Sequence, residues 1–304
     1  MAKYTKWIDA SPDEMISEVA VRSLRSRIEP VRDYLVLAAE ESGKDLEYVH
    51  QVRVWSRRAV AAINIYRNLL PKRRRRWMKD QLNGIRRASN DARDDDVFAE
   101  RLAADKDNPG AARLLKKVQS HRQQSQEPIA EVYGQLVETG IFERRAEKLL
   151  ERVRLRGVGN PKDKFCEWAV ERIRPQLRKF FAAGEDDLTS ATALHQFRIR
   201  GKKLRYAVEL LAGAFTDEIR EVGHPLIRNL QDRLGEINDH ATARVRLKSW
   251  MDHSDDKEEA AYLQEMLDDE QRQLDDQRGE FLSWWNGKRE KDLRKAFASV
   301  ISGK

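Results

Sequence analysis

The chain has 304 residues, of which 40% are hydrophobic and 36% are charged, and its mean hydropathy is −0.76. No stretch approaches the roughly 18 apolar residues that a spanning helix needs, which excludes a polytopic membrane protein. The net charge of +7 favours anionic partners. A single cysteine, Cys166, excludes an internal disulfide and a cysteine-based metal cluster, and we expect a buried, unreactive thiol. The N-terminus lacks the apolar core of a signal peptide, so we expect a cytoplasmic location.

Helical periodicity dominates the sequence. Apolar residues recur at spacings of three and four, whereas strand-like alternation is scarce, so we expect an all-α protein. In the first half of the chain, helices are predicted at about 12–40, 47–69, 73–103 and 109–152. Near the C-terminus, Phe281, Trp284 and Trp285 are expected to pack in the core.

Proline and glycine mark the expected interruptions of these helices. Pro128 or Gly140 is expected to break the last of the four. Pro30 and Pro175 fall inside helical patterns, where the missing amide hydrogen and the bulk of the ring predict a kink or a break. These two prolines occupy equivalent places in two similar stretches of sequence.

An internal repeat relates the two halves of the chain at an offset of 195 − 50 = 145 positions. The matching pairs include His50/His195, Gln51/Gln196, Arg53/Arg198, Arg57/Lys202, Arg58/Lys203, Arg27/Arg172 and Asp94/Asp239. We infer two homologous helical halves, each closing as a four-helix bundle that buries its apolar stripes. The predicted boundaries are about 1–10 for an N-terminal tail, 11–155 for the first half, 156–162 for a linker and 163–304 for the second half.

On a helical wheel the two repeated stretches each have an apolar back and a cationic front. In the first half the back comprises Val52, Trp55, Ala59, Ala62, Ile63 and Tyr66, and the front comprises His50, Arg53 and Arg57, with Arg58 at its edge. In the second half the back comprises Phe197, Leu204, Ala207, Val208 and Leu211, and the front comprises His195, Arg198, Lys202 and Arg205, with Lys203 at its edge and Tyr206 beside it.

This charge pattern favours an anion site over a solvated helix face. Solvated faces usually mix acids and bases, because like charges four residues apart destabilise a helix by about 0.2–0.5 kcal/mol. Here like charges stand four residues apart at Arg53 and Arg57 and again at the equivalent pair in the second half. The neighbouring cations would repel a metal ion from His50 or His195, whereas a histidine that donates to phosphate oxygens fits this environment.

Two further clusters allow more than one interpretation. The carboxylates of Asp94–Asp96 could hold Mg²⁺, but we favour a structural role in which Asp94 and Asp239 fix basic side chains by salt bridges. The run KRRRR, Lys72–Arg76, has no comparably basic equivalent in the second half. It is either an auxiliary anion patch or a solvated helix start. No P-loop, dinucleotide fingerprint or GxSxG motif occurs, so the sequence gives no sign of an enzyme.

The motifs HQVRVWSRR and HQFRIRGKKLRY, followed by ARDDDV and GEINDH, resemble those of the CHAD domain, the conserved histidine α-helical domain. The resemblance covers nearly the whole chain as two repeats. It implies two four-helix bundles related by a pseudo-twofold axis, which bind inorganic polyphosphate along a central basic channel, in some members at polyphosphate granules. The residues to which it assigns binding are His50, Arg53, Arg57, Arg58, His195, Arg198, Lys202, Lys203 and Arg205, with Arg27 and Arg172 as second-tier candidates.

One departure from the family pattern concerns a basic residue ten positions after the histidine. Arg205 supplies it in the second half, but Val60 stands there in the first, so the two halves are not expected to be equally cationic. CHAD domains are often fused to a CYTH triphosphatase domain, whose ExExK strand is not found here, so the resemblance does not imply hydrolysis.

The leading hypothesis is therefore non-enzymatic binding of long polyphosphate, without a cofactor, a metal or a membrane partner. A nucleic-acid binder is the main alternative. Single-stranded binders usually expose aromatic side chains for base stacking, whereas Trp55 and Tyr66 are expected on the apolar back, so any such binding should be weak and nonspecific. A less favoured alternative is a Mg²⁺-dependent phosphate-processing enzyme that uses Asp94–Asp96.

Overall fold

The computed structural model describes residues 4–157, 164–298 and 300. Within these ranges the regular structure is helical apart from one isolated β-bridge, and the all-α prediction is confirmed. None of the helices in these ranges is long and apolar enough to cross a membrane. The chain divides into two compact units, Met1–Arg101 with Lys116–Ala169 and Leu102–Leu115 with Val170–Lys304. The boundaries drawn from the repeat remain predictions, and residues 1–3 and 158–163 of the predicted tail, linker and second half lie outside the described residues.

The first unit is a helical bundle around α1. Its elements are α1 (Ile16–Glu40), α2 (Glu47–Ile65), α3 (Lys72–Ala88), most of α4 (Asn90–Ala104), the second part of α5 (Pro109–Gln124), α6 (Glu127–Tyr133), α7 (Ile141–Gly157) and the start of α8 (Phe165–Gly184). Helix α1 packs along α2 and α7 because Leu24, Ile28, Val31 and Leu35 recur at helical spacing and are buried. Each such side chain contributes roughly 1.5–3 kcal/mol on burial.

A buried tyrosine connects α2 to α1. The Tyr66 hydroxyl lies 2.9 Å from the Ser23 hydroxyl, and its ring stacks on Trp168 at 5.1 Å. Burial raises the pKa of Tyr66 to about 12, so the hydroxyl stays protonated and available for this hydrogen bond. This contact and the aliphatic stripe of α1 fix which face of α2 is turned inward.

The third predicted helix, at 73–103, is wrong in its continuity. Helix α3 ends at Ala88 and α4 begins at Asn90, with Ser89 between them. The buried Ser89 hydroxyl donates to the Ile85 carbonyl at 2.7 Å. The Ser89 amide donates to the same carbonyl at 3.1 Å, so hydroxyl and amide share one acceptor where the helix is interrupted.

The fourth predicted helix is interrupted at both expected places. Helix α6 begins just before Pro128, and α7 begins after Gly140, whose φ of 64° ends the preceding turn in a conformation that favours glycine. By contrast, α1 continues through Pro30 and α8 continues through Pro175, so neither proline breaks its helix. Cys166, expected to be buried, is only half-buried.

The second unit consists of the rest of α8, α9 (Ala191–Leu211), α10 (His224–Met251), α11 (Lys257–Trp284) and α12 (Gly287–Ala296), together with Leu102–Leu115. Helix α10 packs on α9 and α11. Phe281 is buried as expected, whereas Trp284 and Trp285 are half-buried. The guanidinium of Arg233 lies 4.9 Å from the Trp284 ring, a cation–π contact at the partly exposed side of the unit.

One contact recurs in both units at the repeat offset. In the first, the hydroxyl of Ser125, just beyond the end of α5, donates to the Asp95 carboxylate of α4 at 3.2 Å. In the second, the equivalent positions are His240 of α10 and Glu270 of α11, which are 2.6 Å apart. The contact is kept at equivalent positions, but the acid is the earlier residue of the pair, Asp95, in the first unit and the later one, Glu270, in the second.

Candidate anion-binding site

Helix α2 has the two faces that its sequence predicts. All six residues of its apolar back are buried: Val52, Trp55, Ala59, Ala62, Ile63 and Tyr66. The opposite face carries His50, Arg53 and Arg57, which are half-buried and which we call the α2 row. Because the back is held against the core, the row keeps a fixed orientation toward the surface.

Positive charge is concentrated around Arg53. Burial lowers the pKa of Arg53, and the charges of Arg57, Arg86 and Arg93 lower it further, while Asp94 acts in the opposite direction. The guanidinium nevertheless remains charged, because the ordinary pKa of arginine lies above 12. An anion placed here would relieve the mutual repulsion of these cations.

The Nε atom of Arg57 provides a hydrogen-bond donor that the protein does not use. It is buried, and none of the described residues accepts a hydrogen bond from it. A buried donor without an acceptor costs about 1–3 kcal/mol. A phosphate oxygen is an acceptor of the kind that would satisfy this guanidinium.

Helices α3 and α4 contribute further cations near Arg53, which the sequence analysis did not assign to the site. Lys79, Arg86 and Arg93 are spaced by seven residues, and Arg86 and Arg93 both act on Arg53. Lys79 donates through Nζ to Asn64 Oδ1 on α2 at 3.4 Å. The seven-residue spacing of Lys79 and Arg86 was a usable signal in the sequence, since it keeps these two side chains on one face of α3.

Two other predicted residues of the first half flank Trp55. Arg58 lies 4.9 Å from the Trp55 ring, and Arg27 lies 5.6 Å from it. Arg27 is only 1% exposed and donates to the backbone carbonyls of Thr5 and Lys6. Its guanidinium therefore fastens the N-terminal segment, and we leave Arg27 out of the proposed site.

Helix α9 of the second unit also has an apolar back and a basic front. Its predicted back is buried: Phe197, Leu204, Ala207, Val208 and Leu211. The front comprises the exposed His195 and Lys203 and the half-buried Arg198 and Lys202, and Arg172 on α8 is half-buried. We call His195, Arg198 and Lys202, which correspond to the three residues of the α2 row at the repeat offset, the α9 row.

A glycine allows α10 to approach this helix closely. A Cβ atom at Gly201 would lie 2.2 Å from Nε2 of Gln231, which donates to the Arg198 carbonyl at 3.3 Å. Gln231 occupies the position that corresponds to Arg86 at the repeat offset, and Asn238 corresponds to Arg93. At these two corresponding positions α10 therefore carries neutral residues, where α3 and α4 carry cations.

Arg205, the additional basic residue of the second half, is engaged within the protein. Its guanidinium donates to Glu209 Oε1 at 3.0 Å, and His224 Nε2 lies 3.7 Å from the same oxygen. Glu209 is 1% exposed, so Arg205 compensates a buried carboxylate. The extra arginine consequently adds less available positive charge to the second half than the sequence suggests.

The three carboxylates of Asp94–Asp96 differ in their burial and in their partners. Asp95 is fully buried and lies 2.7 Å from His121 Nδ1, and Asp96 accepts from Arg122 Nε at 2.6 Å. Asp94 is exposed. The ion pairs with His121 and Arg122 are made by Asp95 and Asp96, which the sequence analysis did not single out, whereas the charge of Asp94 acts to raise the pKa of Arg53. The expected structural role of Asp94 and Asp239 stays a prediction. In the described ranges, no group of three or more His, Cys, Asp and Glu residues is arranged to hold a metal ion.

The chain matches the sequence model of one known protein family. The model of the CHAD domain matches residues 22–248, which is well over half of the chain. The chain belongs to the CHAD domain family. A search of curated proteins gave no match.

Two solved structures share the CHAD fold of this chain. One is the CHAD domain from the plant Ricinus communis, with a TM-score of 0.68, 20% identity and coverage of 98% of this chain and 96% of that one. The other is PptA from Streptomyces chartreusis, with a TM-score of 0.59, 15% identity and coverage of 90% of this chain and 99% of that one. At these identities the likeness establishes the fold alone.

The histidine of the first CHAD motif should make anion binding dependent on pH. Burial lowers the pKa of His50, and Arg93, Arg57 and Arg53 lower it further, while Glu47 acts in the opposite direction. A bound anion would raise this pKa again, so binding should take up a proton and affinity should increase as pH falls from about 8 to about 6. Titration of polyphosphate into the protein across this pH range measures the effect.

A matched pair of variants isolates the contribution of His50. His50→Gln should lose a clear part of the pH dependence. His253→Gln should retain it, because His253 is exposed and contacts the Ser249 carbonyl. An unchanged pH profile in His50→Gln would contradict the assignment.

Proposed function

We propose that this protein binds inorganic polyphosphate without transforming it chemically. The observation that carries the proposal is the crowding of His50, Arg53 and Arg57 on one face of α2, where a buried Arg57 donor has no acceptor among the described residues. Polyphosphate consists of negatively charged phosphates whose oxygens accept hydrogen bonds. Guanidinium groups bind such oxygens through charge-assisted hydrogen bonds, which are the stronger class.

Membership of the CHAD family supports a role connected with polyphosphate. The α9 row supplies a second, weaker set of basic contacts in the other unit, comprising His195, Arg198 and Lys202 with Lys203 at its edge. Arg58 and Arg172 are further candidate contacts. Binding of this kind would also allow the protein to associate with polyphosphate granules.

The two alternative functions have less support from the geometry. Trp55 and Tyr66 are buried, and Tyr206 lies 4.8 Å from the guanidinium of Arg205, so the basic rows lack the exposed aromatic side chains on which nucleic-acid bases usually stack. A magnesium-dependent reaction at Asp94–Asp96 would compete with the ion pairs that Asp95 and Asp96 make with His121 and Arg122.

A comparison of three polyanions tests the proposal. Affinities for long-chain polyphosphate, single-stranded DNA and double-stranded DNA are measured at one physiological salt concentration, for the wild type and for Arg53→Ala/Arg198→Ala with folding checked by circular dichroism. We expect polyphosphate to bind well above both DNAs and the double variant to lose this binding. Equal affinity for all three polymers, or full binding by the folded variant, would overturn the proposed function.

A further inference from the structure

Helix α3 carries an unusual share of the positive charge. It contains eight basic residues and one acidic residue, a net charge of +7, which equals that of the whole chain. The equivalent stretch at the repeat offset, 217–233, contains three basic and four acidic residues, a net charge of −1. Most of the difference comes from the run Lys72–Arg76, which we call the α3 cluster.

The placement of the α3 cluster does not favour the stability of its helix. It occupies the first turns of α3, where the helix dipole disfavours positive charge, and the first turn contains no acidic residue. Lys72, Arg73 and Arg76 are exposed, and Arg76 lies 3.9 Å from Asp80, which is also exposed. Exposed pairs of this kind contribute little, so the cluster remains a patch of uncompensated charge.

The α3 cluster is continuous with the site on α2. Arg75 donates to the carbonyl of Arg67, just beyond the end of α2, at 2.9 Å. Lys72, Lys79 and Arg86 stand at intervals of seven residues on one face of α3, and Lys79 contacts Asn64 on α2. This face is about 21 Å long from Lys72 to Arg86, at about 1.5 Å per residue.

We propose that the α3 cluster extends the anion site of the first unit and makes this protein prefer long polyphosphate chains to short ones. The inference rests on the proposed function. A chain of three phosphates is short enough to be held by the α2 row and its facing cations. A longer chain continues along the basic face of α3 to Lys72 and gains contacts that the short chain cannot reach.

Charge-matched variants test the length preference. The cluster variant is Lys72→Gln/Arg73→Gln/Arg76→Gln, which retains the bond from Arg75 to Arg67. The control variant, Lys148→Gln/Arg152→Gln/Arg154→Gln, removes three exposed charges from α7 of the same unit. Affinities for tripolyphosphate and for long-chain polyphosphate are measured over a series of salt concentrations, and thermal unfolding verifies that both variants fold.

We expect the cluster variant to bind the long chain about 10-fold more weakly, because it loses three exposed charges that each contribute modestly to binding. Its affinity for tripolyphosphate should match that of the wild type. The salt dependence for the long chain should become less steep by about two to three charges, because fewer counterions are released. The control variant should retain the wild-type preference for the long chain.

The outcomes separate this inference from the proposed function. If the wild type binds neither polymer, the proposed function fails and the inference with it. If the wild type binds both but the cluster and control variants lose equally, or the cluster variant loses equally on both chain lengths, the inference is overturned and the proposed function stands. A cluster variant that keeps full polyphosphate affinity but loses binding to phosphatidylserine vesicles would instead identify the patch as a membrane contact.

Discussion

Arg53→Gln/Arg57→Gln should weaken binding of long-chain polyphosphate by more than about 100-fold, because each change removes a charge-assisted hydrogen bond of about 1.5–3 kcal/mol. The equivalent change in the second unit, Arg198→Gln/Lys202→Gln, should cost about 10-fold or less. The difference follows from the neighbouring helices. The charges of Arg86 and Arg93 act on Arg53 of the α2 row, whereas the corresponding positions of α10 are neutral. Calorimetric titration at one salt concentration measures both losses.

Stability measurements distinguish loss of a binding site from loss of structure. Arg53 donates to Asn90, but it is also repelled by Arg57, and removing like-charged neighbours offsets part of what is lost. The free energy of unfolding of Arg53→Gln/Arg57→Gln should therefore stay within about 0.5 kcal/mol of the wild type. A larger loss of affinity from the α9 pair, or a loss of binding explained by unfolding, would contradict the assigned asymmetry.

The two faces of α2 and α9 were predictable from sequence because a helical period of 3.6 residues decides them locally. Every residue assigned to the apolar back of either helix is buried. The pairing of Arg205 with Glu209 was also within reach of the sequence, since the two residues stand four apart on one helix. The contact of Glu209 with His224 was not, because it depends on how α10 packs against α9.

The remaining features depend on tertiary contacts. Lys79 and Arg86 share a face of α3 by their spacing, and Arg93 lies on α4. Their relevance to the α2 row follows only once α3 is packed on α2. Likewise, the sequence presents Asp94, Asp95 and Asp96 as one acidic run, whereas α5 selects Asp95 and Asp96 as partners for its own basic residues. The interruption at Ser89, whose hydroxyl donates to the Ile85 carbonyl, is also not encoded by the apolar periodicity.

Positions related by the repeat offset keep their contacts even where their residue types differ. Asn64 and Lys79 form a hydrogen bond in the first unit, and the equivalent positions in the second are Glu209 and His224, which also meet. A neutral acceptor has become a buried carboxylate that engages Arg205. The same backbone positions therefore give one unit cations available at its surface and the other an internally compensated cluster.

Arg122→Ala should destabilise the first unit by about 3 kcal/mol at pH 7, because it leaves the buried carboxylate of Asp96 without its cation. Arg122 also donates to Gln126, whose amide donates in turn to the Ala38 carbonyl near the end of α1. The ion pair therefore helps to hold α4 and α5 to α1. Urea unfolding followed by circular dichroism measures the loss.

The pH dependence of this loss identifies its cause. Burial already raises the pKa of Asp96, with Arg122 lowering it in opposition, so the variant should raise that pKa further. A carboxyl group with a raised pKa in the folded state costs stability above that pKa and ceases to do so once it is protonated, so the deficit of Arg122→Ala should shrink as pH falls from about 7 to about 5. Adding Asp96→Asn to Arg122→Ala should recover part of the stability at pH 7 and remove the pH dependence of the deficit, because the carboxylate that lost its cation is then gone. A deficit that does not change with pH in Arg122→Ala would mean that lost packing of the arginine chain, and not the stranded carboxylate, is what destabilises the unit.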